Sequence, residues 1–371
     1  MIFSPDYLLQ QLRRQPRAAC YRVAYSGGLD SHVLLHALAQ LRGELDVSIG
    51  AVHVNHGLQA MADDWGQHCR QVCAALEVPF VLLETNATAA RGESPEAAAR
   101  SARYAALADW LPQDNCLLTA QHQDDQAETL LLQLLRGSGV SGLAAMPRSA
   151  VLGAGVHLRP LLDVSRDALH SYALAHDLCW VEDPSNADTA FDRNYLRQQV
   201  LPVLRQRWPA VSASLSRSAA HCAEAAELLE ELADGELQAL AGERNTLSLA
   251  RLLALPPLRQ RNAVRHWLRQ VSGVVPSAAV LARIFNDVIG SRPDSEPCVC
   301  WGSVEMRRFR EQLFLLPRSR PLQQAEAVNW TLVEPLRLPR AGGVLTAEPV
   351  TGNGLRATAL AAGNVRVDWR R

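Results

Sequence analysis

Short apolar runs alternate with amphipathic segments of helical period over the first 147 residues. The apolar runs predict buried strands, at residues 21–25, 47–54, 80–83 and 117–120. The segments between them predict helices, at residues 32–41, 64–76, 95–111 and 125–136. Strands separated by helices favour an α/β fold with a doubly wound, mainly parallel sheet.

The pattern changes after the Trp208-Pro209 dipeptide. Before it, a strand at 156–158 and a helix at 166–176 continue the alternation. Beyond it the periodicity is helical and then strand-like, with helices predicted at 212–240, 258–270 and 277–289 and strands within 299–316.

This change predicts more than one domain, as the length of the chain also does. We expect an α/β domain over 1–215 and a mainly helical domain over 216–320. Residues 321–371 read as a linker or the start of an incomplete C-terminal domain.

All 37 basic residues of the chain are arginine, and this composition excludes several classes of enzyme. A Walker A loop and the protein-kinase active site each need a lysine on the nucleotide phosphates. A Schiff-base mechanism needs a lysine amine. If the chain binds ATP, it must therefore use a loop that works without lysine.

The eight cysteines are scattered, and none forms a C-x-x-C pair. Cys69 and Cys73, like Cys298 and Cys300, lie close in sequence, but neither pair is matched by a second pair at zinc-ligand spacing. We interpret the cysteines as reduced, mostly structural thiols of a cytoplasmic protein. Because no apolar run reaches about 18 residues and no secretory signal is evident, we expect no membrane segment.

Positive charge is concentrated late in the chain, although the formal net charge is only −1. Residues 251–320 hold 12 arginines against five acidic residues, and an acidic stretch at 224–236 precedes them. Such a cluster of arginines could bind a polyanion such as a nucleic acid. A solvated helix surface explains the same charges, so charge alone leaves both interpretations open.

One segment at the end of the first predicted strand has the chemistry of a phosphate-binding loop. Two glycines permit a tight turn and a close approach of backbone N–H groups to an anion, and the following helix N-terminus favours negative charge. Serine hydroxyls add donors, and Asp30 makes sense as a Mg²⁺ ligand or as a group that orients the loop. The alternative is an ordinary turn, but the carboxyl end of a strand is where α/β sheets bind ligands. The segment reads Ser26-Gly27-Gly28-Leu29-Asp30-Ser31.

This S-G-G-x-D-S loop resembles the pyrophosphatase loop of the N-type ATP pyrophosphatases. Enzymes of that class attach AMP to a carbonyl-type oxygen of the substrate and release pyrophosphate. They include synthetases of GMP, NAD and argininosuccinate and several tRNA-modifying enzymes. The resemblance therefore implies ATP as the nucleotide, with Mg²⁺.

Four later groups of residues narrow the resemblance to the tRNA(Ile)-lysidine synthases, over about residues 20–205. Their order and spacing together are specific to that family, whereas each group alone is weak. The groups are HVNHGL at 53–58; ExxxRxxRY at 96–104; QHQDDQAET at 121–129 with RGSGVSGL at 136–143; and RPLL at 159–162 with DPSN at 183–186 and RNYLR at 193–197.

The resemblance implies a two-step reaction on a tRNA(Ile) with a CAU anticodon. ATP adenylates the C2 oxygen of the wobble cytidine at tRNA position 34. The amine of free L-lysine then displaces AMP at C2 and forms lysidine. The modified base reads A instead of G, so the tRNA reads AUA instead of AUG.

Adenylation builds negative charge on the transferring phosphate, which arginines and Mg²⁺ would stabilise. Arg100 and Arg103 share a helix face and are candidates for this role, unless they are exposed surface charges. Asp30 and Asp125 are candidate Mg²⁺ ligands. His53 is a candidate for ATP binding beside the loop, with a structural role in its strand as the alternative.

Asp125 and Glu128 are three residues apart and share a helix face. They are candidates to recognise the ammonium groups of lysine, hold Mg²⁺ or help to deprotonate the attacking amine; the alternative is an acidic helix cap. His122 is a candidate phosphate or acid/base partner, or a packed strand-end residue. Three further residues are candidate contacts of tRNA or phosphate, or else hydrogen-bonding groups at the sheet edge: Arg193, Asn194 and Arg197.

The chain departs from the family pattern at two positions and at its end. Gln121 stands where family members often have a histidine, and an amide cannot transfer a proton at neutral pH. Gln59 follows HVNHGL where an arginine is frequent. Residues 364–371 resemble the beginning of a β-rich domain that long bacterial members use to hold the tRNA acceptor stem. We therefore expect a truncated chain or a natural short form.

Two other functions fit parts of the sequence. A tRNA thiolase of the same class usually needs a persulfide cysteine, a C-x-x-C pair or an iron–sulfur cluster, and the sequence has no C-x-x-C pair. A non-catalytic nucleotide- or RNA-binding protein would bind ATP without releasing AMP. We expect a cytoplasmic ligase with tRNA(Ile) and L-lysine as partners and no membrane, and the sequence leaves a homodimer open.

Overall fold

Six strands from the first part of the chain form one sheet. They are β1 (Cys20–Ala24), β2 (Ser48–Asn55), β3 (Phe80–Glu84), β4 (Asn115–Leu118), β5 (Ser149–Leu152) and β6 (Gly155–Leu158). A computed structural model orders them β3-β2-β1-β4-β6-β5. Every neighbouring pair is parallel except β5 and β6, which are antiparallel at one edge. The predicted α/β fold with a mainly parallel sheet is confirmed.

Helices connect these strands, as the alternating pattern predicts. They are α1 (Pro5–Arg13), α2 (Leu29–Gln40), α3 (Ala62–Ala75), α4 (Pro95–Trp110), α5 (Gln123–Leu135), α6 (Val140–Leu143) and α7 (Arg166–Ala175). The N-terminal helix α1, which the sequence pattern did not reveal, is capped by Ser4, whose side chain accepts the Tyr7 N–H.

The helix α2 is apolar on nearly every face because it is buried within the domain. Val33, Leu34 and Leu38 are completely buried. Burial of each such side chain stabilises the fold by about 1.5–3 kcal/mol. The helix begins directly after Gly28, whose backbone is extended, so its first turn lies at the carboxyl end of β1. Core packing thus fixes the position of the glycine loop.

The strand β4 lies two residues earlier than the sequence predicted for 117–120. Asn115 pairs with Cys20 of β1, and the strand ends at Leu118. The parallel register with β1 decides these bounds, whereas the sequence pattern weighted only the apolar residues. The residues after Leu118 therefore follow the strand end and lie beside the glycine loop.

A helical segment with a π turn follows the sheet. It consists of α8 (Asp192–Tyr195), the π-helix Leu196–Val200 and α9 (Leu201–Arg207), and α10 (Val211–Leu240) comes next. π turns are rare and frequently occur at functional sites. This one contains Arg197.

The chain divides into two compact units, Met1–Leu228 and Leu229–Arg371. The division falls inside α10, whereas the sequence pattern placed a domain boundary at 215/216. The proposed domain limits 1–215, 216–320 and 321–371 stay predictions.

The second unit begins with helices and continues with strands. Its helices after α10 are α11 (Leu249–Leu253), α12 (Pro257–Ser272), α13 (Ala278–Arg283) and the π-helix Ile284–Ile289. Its strands are β7 (Leu247–Ser248), β8 (Cys298–Trp301), β9 (Val304–Phe309), β10 (Gln312–Pro317), β11 (Val328–Trp330), β12 (Leu336–Arg337), β13 (Val344–Leu345) and β14 (Val365–Val367). An antiparallel sheet has the order β7-β10-β9-β8, and β11 pairs with β14 and β12 with β13. Leu268, Ile284 and Met306 are completely buried in its core.

The structure describes residues 2–15, 18–55, 62–85, 95–242, 246–273, 276–292, 295–318, 328–332, 334–337, 344–348, 351 and 365–367, without the side chains of 62, 63 and 95–97. His56, Gly57, Leu58 and Gln59 of the second-strand motif lie outside these residues. Within the described part of the chain, every helix is too short or too polar to cross a membrane.

Candidate active site

The loop after β1 is held by hydrogen bonds among its own residues. The Gly28 N–H donates to Ser26 Oγ at 3.4 Å, and Ser26 Oγ lies 3.0 Å from Ser31 Oγ. Ser31 Oγ donates to Gly28 O at 3.0 Å and accepts the Ser26 N–H at 3.2 Å. Because the single proton of Ser31 goes to Gly28, Ser26 must donate to Ser31. Both hydroxyl protons therefore shape the loop, so donors toward an anion must be backbone N–H groups other than those of Ser26 and Gly28.

Gly27 requires glycine for a conformational reason. Its φ is +84°, in the left-handed region that side chains disfavour. A Cβ there would lie 3.2 Å from Cys69 Sγ. Its carbonyl oxygen accepts the Val181 N–H at 3.0 Å, which ties the loop to the segment after α7. Gly28 has an ordinary φ of −78°.

His122 lies between two carboxylates that come from different parts of the sequence. Asp30 is in the first turn of α2, and Asp125 is in the first turn of α5. Because β1 and β4 are parallel neighbours, their carboxyl ends meet at one edge of the sheet. His122 Nε2 lies 3.5 Å from Asp30 Oδ2 and 3.5 Å from Asp125 Oδ2. The structure thus brings these three predicted residues together.

The charge of His122 follows from this position. The residue is 1% exposed, and burial by itself would lower its pKa. The nearby carboxylates of Asp125 and Asp30, with a smaller effect of Asp124, outweigh burial and raise the pKa to about 9. His122 is therefore a cation at neutral pH and is unsuited to act there as a general base.

Asp125 and Glu128 both bind Arg197. The Arg197 guanidinium donates to Glu128 Oε1 at 2.7 Å, to Glu128 Oε2 at 3.0 Å and to Asp125 Oδ1 at 3.0 Å. Glu128 is completely buried. Burial by itself would lower the pKa of Arg197, but Glu128 and Asp125 raise it above its ordinary value, so the guanidinium stays charged. The two carboxylates thus form a site that already stabilises a cation.

Arg193 and Asn194 make contacts within the protein. Arg193 Nη2 donates to Thr129 Oγ1 at 2.8 Å, and its Nε lies 3.7 Å from Glu128 Oε2. Asn194 Nδ2 donates to the backbone oxygens of Ser185 and Asp188, at 3.0 and 2.9 Å. Arg193 therefore lies beside the carboxylates, whereas Asn194 holds a loop. Their assignment as tRNA or phosphate contacts stays a prediction.

Asp30 has one carboxylate oxygen that a divalent cation could bind. Asp30 Oδ1 is buried and has no hydrogen-bond partner among the described residues. Asp125, the other predicted ligand, has both oxygens engaged. Its Oδ1 accepts from Arg197, and its Oδ2 accepts the backbone N–H of His122 at 3.0 Å. Of the two carboxylates, Asp30 is therefore better placed to bind Mg²⁺.

His53 is buried in β2 and bound to the backbone of the neighbouring strand end. Its Nδ1 lies 2.8 Å from Tyr25 O, so this nitrogen must carry the proton. Burial lowers the pKa of His53, which keeps the ring neutral. The ring therefore anchors the residue before the glycine loop, and its predicted contact with ATP is untested.

Arg100 and Arg103 belong to α4, and Arg100 packs on an aromatic ring of the same helix. The Arg100 guanidinium carbon lies 5.1 Å from the centre of the Tyr104 ring, and that ring lies 5.6 Å from the ring of His157. Arg103 is half-buried on the same helix. In the described part of the chain, no hydrogen bond or ion pair joins Arg100 to Asp30 or Asp125. Their proposed role in catalysis stays a prediction.

A chain of hydrogen bonds beside Arg100 was missed by sequence reasoning. Arg159 Nη2 donates to His157 Nδ1 at 3.2 Å, so His157 Nε2 carries the proton and donates to Thr119 Oγ1 at 2.7 Å. Burial and nearby arginines lower the pKa of His157 to about 3, which keeps it neutral. Thr119 then donates to Gln121 Oε1, so the Gln121 NH₂ group points away from Thr119. Polar residues at the ends of parallel strands are the signal that could have revealed this chain.

The sheet and the glycine loop together define a PP-loop ATP pyrophosphatase domain. A family model described as the PP-loop domain matches residues 5–204. A second model, described as the TilS substrate binding domain, matches residues 247–314.

The chain belongs to the tRNA(Ile)-lysidine synthase family. It is 43% identical over 357 residues to the tRNA(Ile)-lysidine synthase of Coxiella burnetii, covering 96% of this chain and 79% of that relative. It is 46% identical over 351 residues to the enzyme of Serratia proteamaculans, covering 94% and 79%. The family predicted from the sequence motifs is confirmed.

The fold is also similar to that of a solved tRNA-modifying enzyme. A U34-tRNA thiolase from Methanococcus maripaludis, with its [4Fe-4S] cluster, superposes with a TM-score of 0.50 and 16% sequence identity. The match covers 59% of this chain and 78% of the thiolase. At this identity the likeness shows the fold alone.

Proposed function

We propose that this chain uses ATP to join L-lysine to C2 of the wobble cytidine of tRNA(Ile), with AMP and pyrophosphate as the other products. The observation that carries this function is the family similarity, which extends through both the PP-loop domain and the substrate-binding domain. The tRNA acted on has a CAU anticodon, and the enzyme works in the cytoplasm. The geometry of the site supports a role for each group of residues.

In the adenylation step, the loop at Ser26–Ser31 binds the phosphates of ATP. Its backbone N–H groups and the N-terminus of α2 face the same edge of the sheet and favour an anion. The His122 cation lies beside the loop and stabilises the negative charge that develops on the leaving pyrophosphate. The arginines of α4, Arg100 and Arg103, supply further positive charge for the substrate phosphates.

Asp30 is the residue that would hold Mg²⁺. Its buried Oδ1 supports this role, because a carboxylate oxygen without a donor is favourable only beside a cation. When bound, Mg²⁺ would offset charge on the phosphates of ATP. His122, 3.5 Å from Oδ2, keeps the carboxylate oriented.

In the second step, Asp125 and Glu128 attract the lysine substrate. Their negative charge supports this role, and an ammonium group would share the carboxylates with the Arg197 guanidinium, which already binds both. The attacking amine must lose a proton, and because His122 is protonated at neutral pH, a carboxylate is the better acceptor. Arg193, beside Glu128, is placed to meet the negative end of lysine or a phosphate.

The direct test is incorporation of labelled lysine into a tRNA(Ile) transcript with a CAU anticodon. We expect incorporation that requires ATP, with AMP released only when lysine and tRNA are both present. A tRNA(Met) transcript with the same anticodon is the matched control. The absence of lysine incorporation with the full chain would contradict the proposal.

The same assay separates the alternatives. A tRNA thiolase would form AMP with a sulfur donor and without lysine, and a binding protein would form none. The relatives do not favour the thiolase. Cys69, whose Sγ lies against Gly27, and its neighbour Cys73 are moreover completely buried, and burial raises the pKa of both thiols to about 12.

A further inference from the structure

Two cysteines and a glutamate of the second unit lie on one face of its antiparallel sheet. Cys298 and Cys300 are two residues apart on the edge strand β8, so their side chains point to the same side. Cys300 is paired with Glu305 of β9. Val299 and Met306, the intervening pair, point to the opposite side and are completely buried in the core.

The distances between their donor atoms are close to those of a tetrahedral metal site. Cys298 Sγ lies 3.6 Å from Cys300 Sγ, and Cys300 Sγ lies 3.9 Å from Glu305 Oε2. All three donor atoms lie within 4.8 Å of one another. Zinc with bonds of about 2.3 Å to sulfur and about 2.1 Å to oxygen needs donors about 3.5–3.8 Å apart. Small side-chain rotations would therefore complete the geometry.

Arg307 holds the glutamate in the orientation that a metal would need. Its Nε donates to Glu305 Oε1 at 2.8 Å, which leaves Oε2 on the side of Cys300. Carboxylates that bind metals are commonly fixed by such a hydrogen bond from a second residue. The charges also balance, because two thiolates and a carboxylate offset one divalent cation and the Arg307 guanidinium.

We propose that Cys298, Cys300 and Glu305 bind Zn²⁺, with water as the fourth ligand. The bound ion would join the edge strand β8 to β9 and stabilise the second unit. Two thiolates favour zinc over Mg²⁺, so this site is chemically distinct from the one at Asp30. The sequence has no second pair of cysteines at zinc-ligand spacing. The third ligand, Glu305, is brought beside Cys300 by the register of β8 with β9.

The test uses Co²⁺ as a spectroscopic probe of the reduced, metal-free full chain. We expect one thiolate-bound Co²⁺ per chain, seen as a thiolate-to-cobalt absorption band, which Zn²⁺ then displaces. Cys298→Ser and Cys300→Ser should remove the band. The matched control is Cys179→Ser, an exposed cysteine of the first unit, which should leave the band unchanged.

A second measurement, the change in Tm on adding Zn²⁺, tests binding even if a variant folds less stably than the parent. Zn²⁺ should raise the Tm of the parent chain and of Cys179→Ser, because it binds the folded state, and should leave the Tm of Cys298→Ser unchanged. Glu305→Gln should weaken Co²⁺ binding by about tenfold or more, because one of three protein ligands is lost. The proposal is overturned if the band is absent in the parent chain, if it persists in the Cys298→Ser/Cys300→Ser double variant, or if Glu305→Gln binds Co²⁺ as tightly as the parent.

Discussion

At the scale of single residues, the site depends on charged groups that are each placed by a different strand end. Asp30 follows β1, and His122 follows β4. The buried His122 ring has its Nε2 between two carboxylates, which explains why it remains a cation. A cationic histidine beside a carboxylate with one unpaired oxygen suits the binding of anionic phosphates together with a metal ion.

Asp30→Asn should reduce pyrophosphate release by about 100-fold or more, because a neutral amide binds Mg²⁺ poorly and no longer pairs with His122. The measurement is pyrophosphate formation with saturating ATP, lysine and tRNA. Asp167→Asn is a suitable control, since Asp167 is an exposed aspartate in the first turn of α7. Near-normal release by Asp30→Asn would show that the metal lies elsewhere.

The raised pKa of His122 predicts a pH dependence of stability. An unfolded histidine has a pKa of 6.5 and the folded residue one of about 9, so protonated His122 stabilises the fold fully below pH 6.5. This contribution, about 3 kcal/mol, should be lost as the pH rises from 6.5 to 9.

Urea unfolding of the parent chain and of His122→Gln at pH 6 and pH 9.5 measures this contribution. The free energy of unfolding of the parent should fall more steeply over that range. If both proteins lose the same amount of stability, the histidine is not held as a cation.

At the scale of elements, the π-helix Leu196–Val200 connects to α5 through one side chain. Arg197 reaches the carboxylates of Asp125 and of the buried Glu128 in the first turns of α5. Arg193 and Arg197 are four residues apart and share a helix face, but the sequence does not predict that this face meets Glu128, which belongs to a distant part of the chain. The same contacts bring the two carboxylates and their arginines into one group.

Arg197→Leu should destabilise the protein by about 3–5 kcal/mol, because it leaves the buried Glu128 carboxylate without its partner. The double variant Glu128→Leu/Arg197→Leu should cost less than either single substitution. Urea unfolding of the three variants forms a double-mutant cycle. Additive losses would mean that the pair contributes no coupling.

At the scale of the whole molecule, the two units carry different parts of the function. The first contains the PP-loop and the carboxylates, and the second contains the segment that matches the substrate binding domain. Arginines are frequent in that segment, and some are already engaged: Arg259 binds Glu236 and Arg269 binds Glu230. Arg261 and Arg265 of α12 are exposed, with no ion pair among the described residues, and are therefore suited to phosphate contacts.

The double variant Arg261→Gln/Arg265→Gln should bind tRNA more weakly and with a smaller salt dependence. Each lost phosphate contact should lower the slope of log K against log salt by about 1. The charge-matched control is Arg13→Gln/Arg14→Gln, at exposed positions in and after α1. An unchanged slope in the α12 variant would place the tRNA contacts on other residues.

The sequence by itself determined the fold class, the glycine loop and the family, because these depend on local periodicity and on short runs of adjacent residues. It also indicated Asp30, Asp125 and Glu128 as site residues. Asp30 lies at a strand end, and Asp125 and Glu128 are three residues apart on a helix, and both features follow from local geometry. Only the tertiary structure decided what these residues contact, because strand order and register join positions far apart in the chain. It placed His122 beside Asp30 and Arg197 on Glu128, and it arranged Arg159, His157 and Thr119 into one hydrogen-bonded chain.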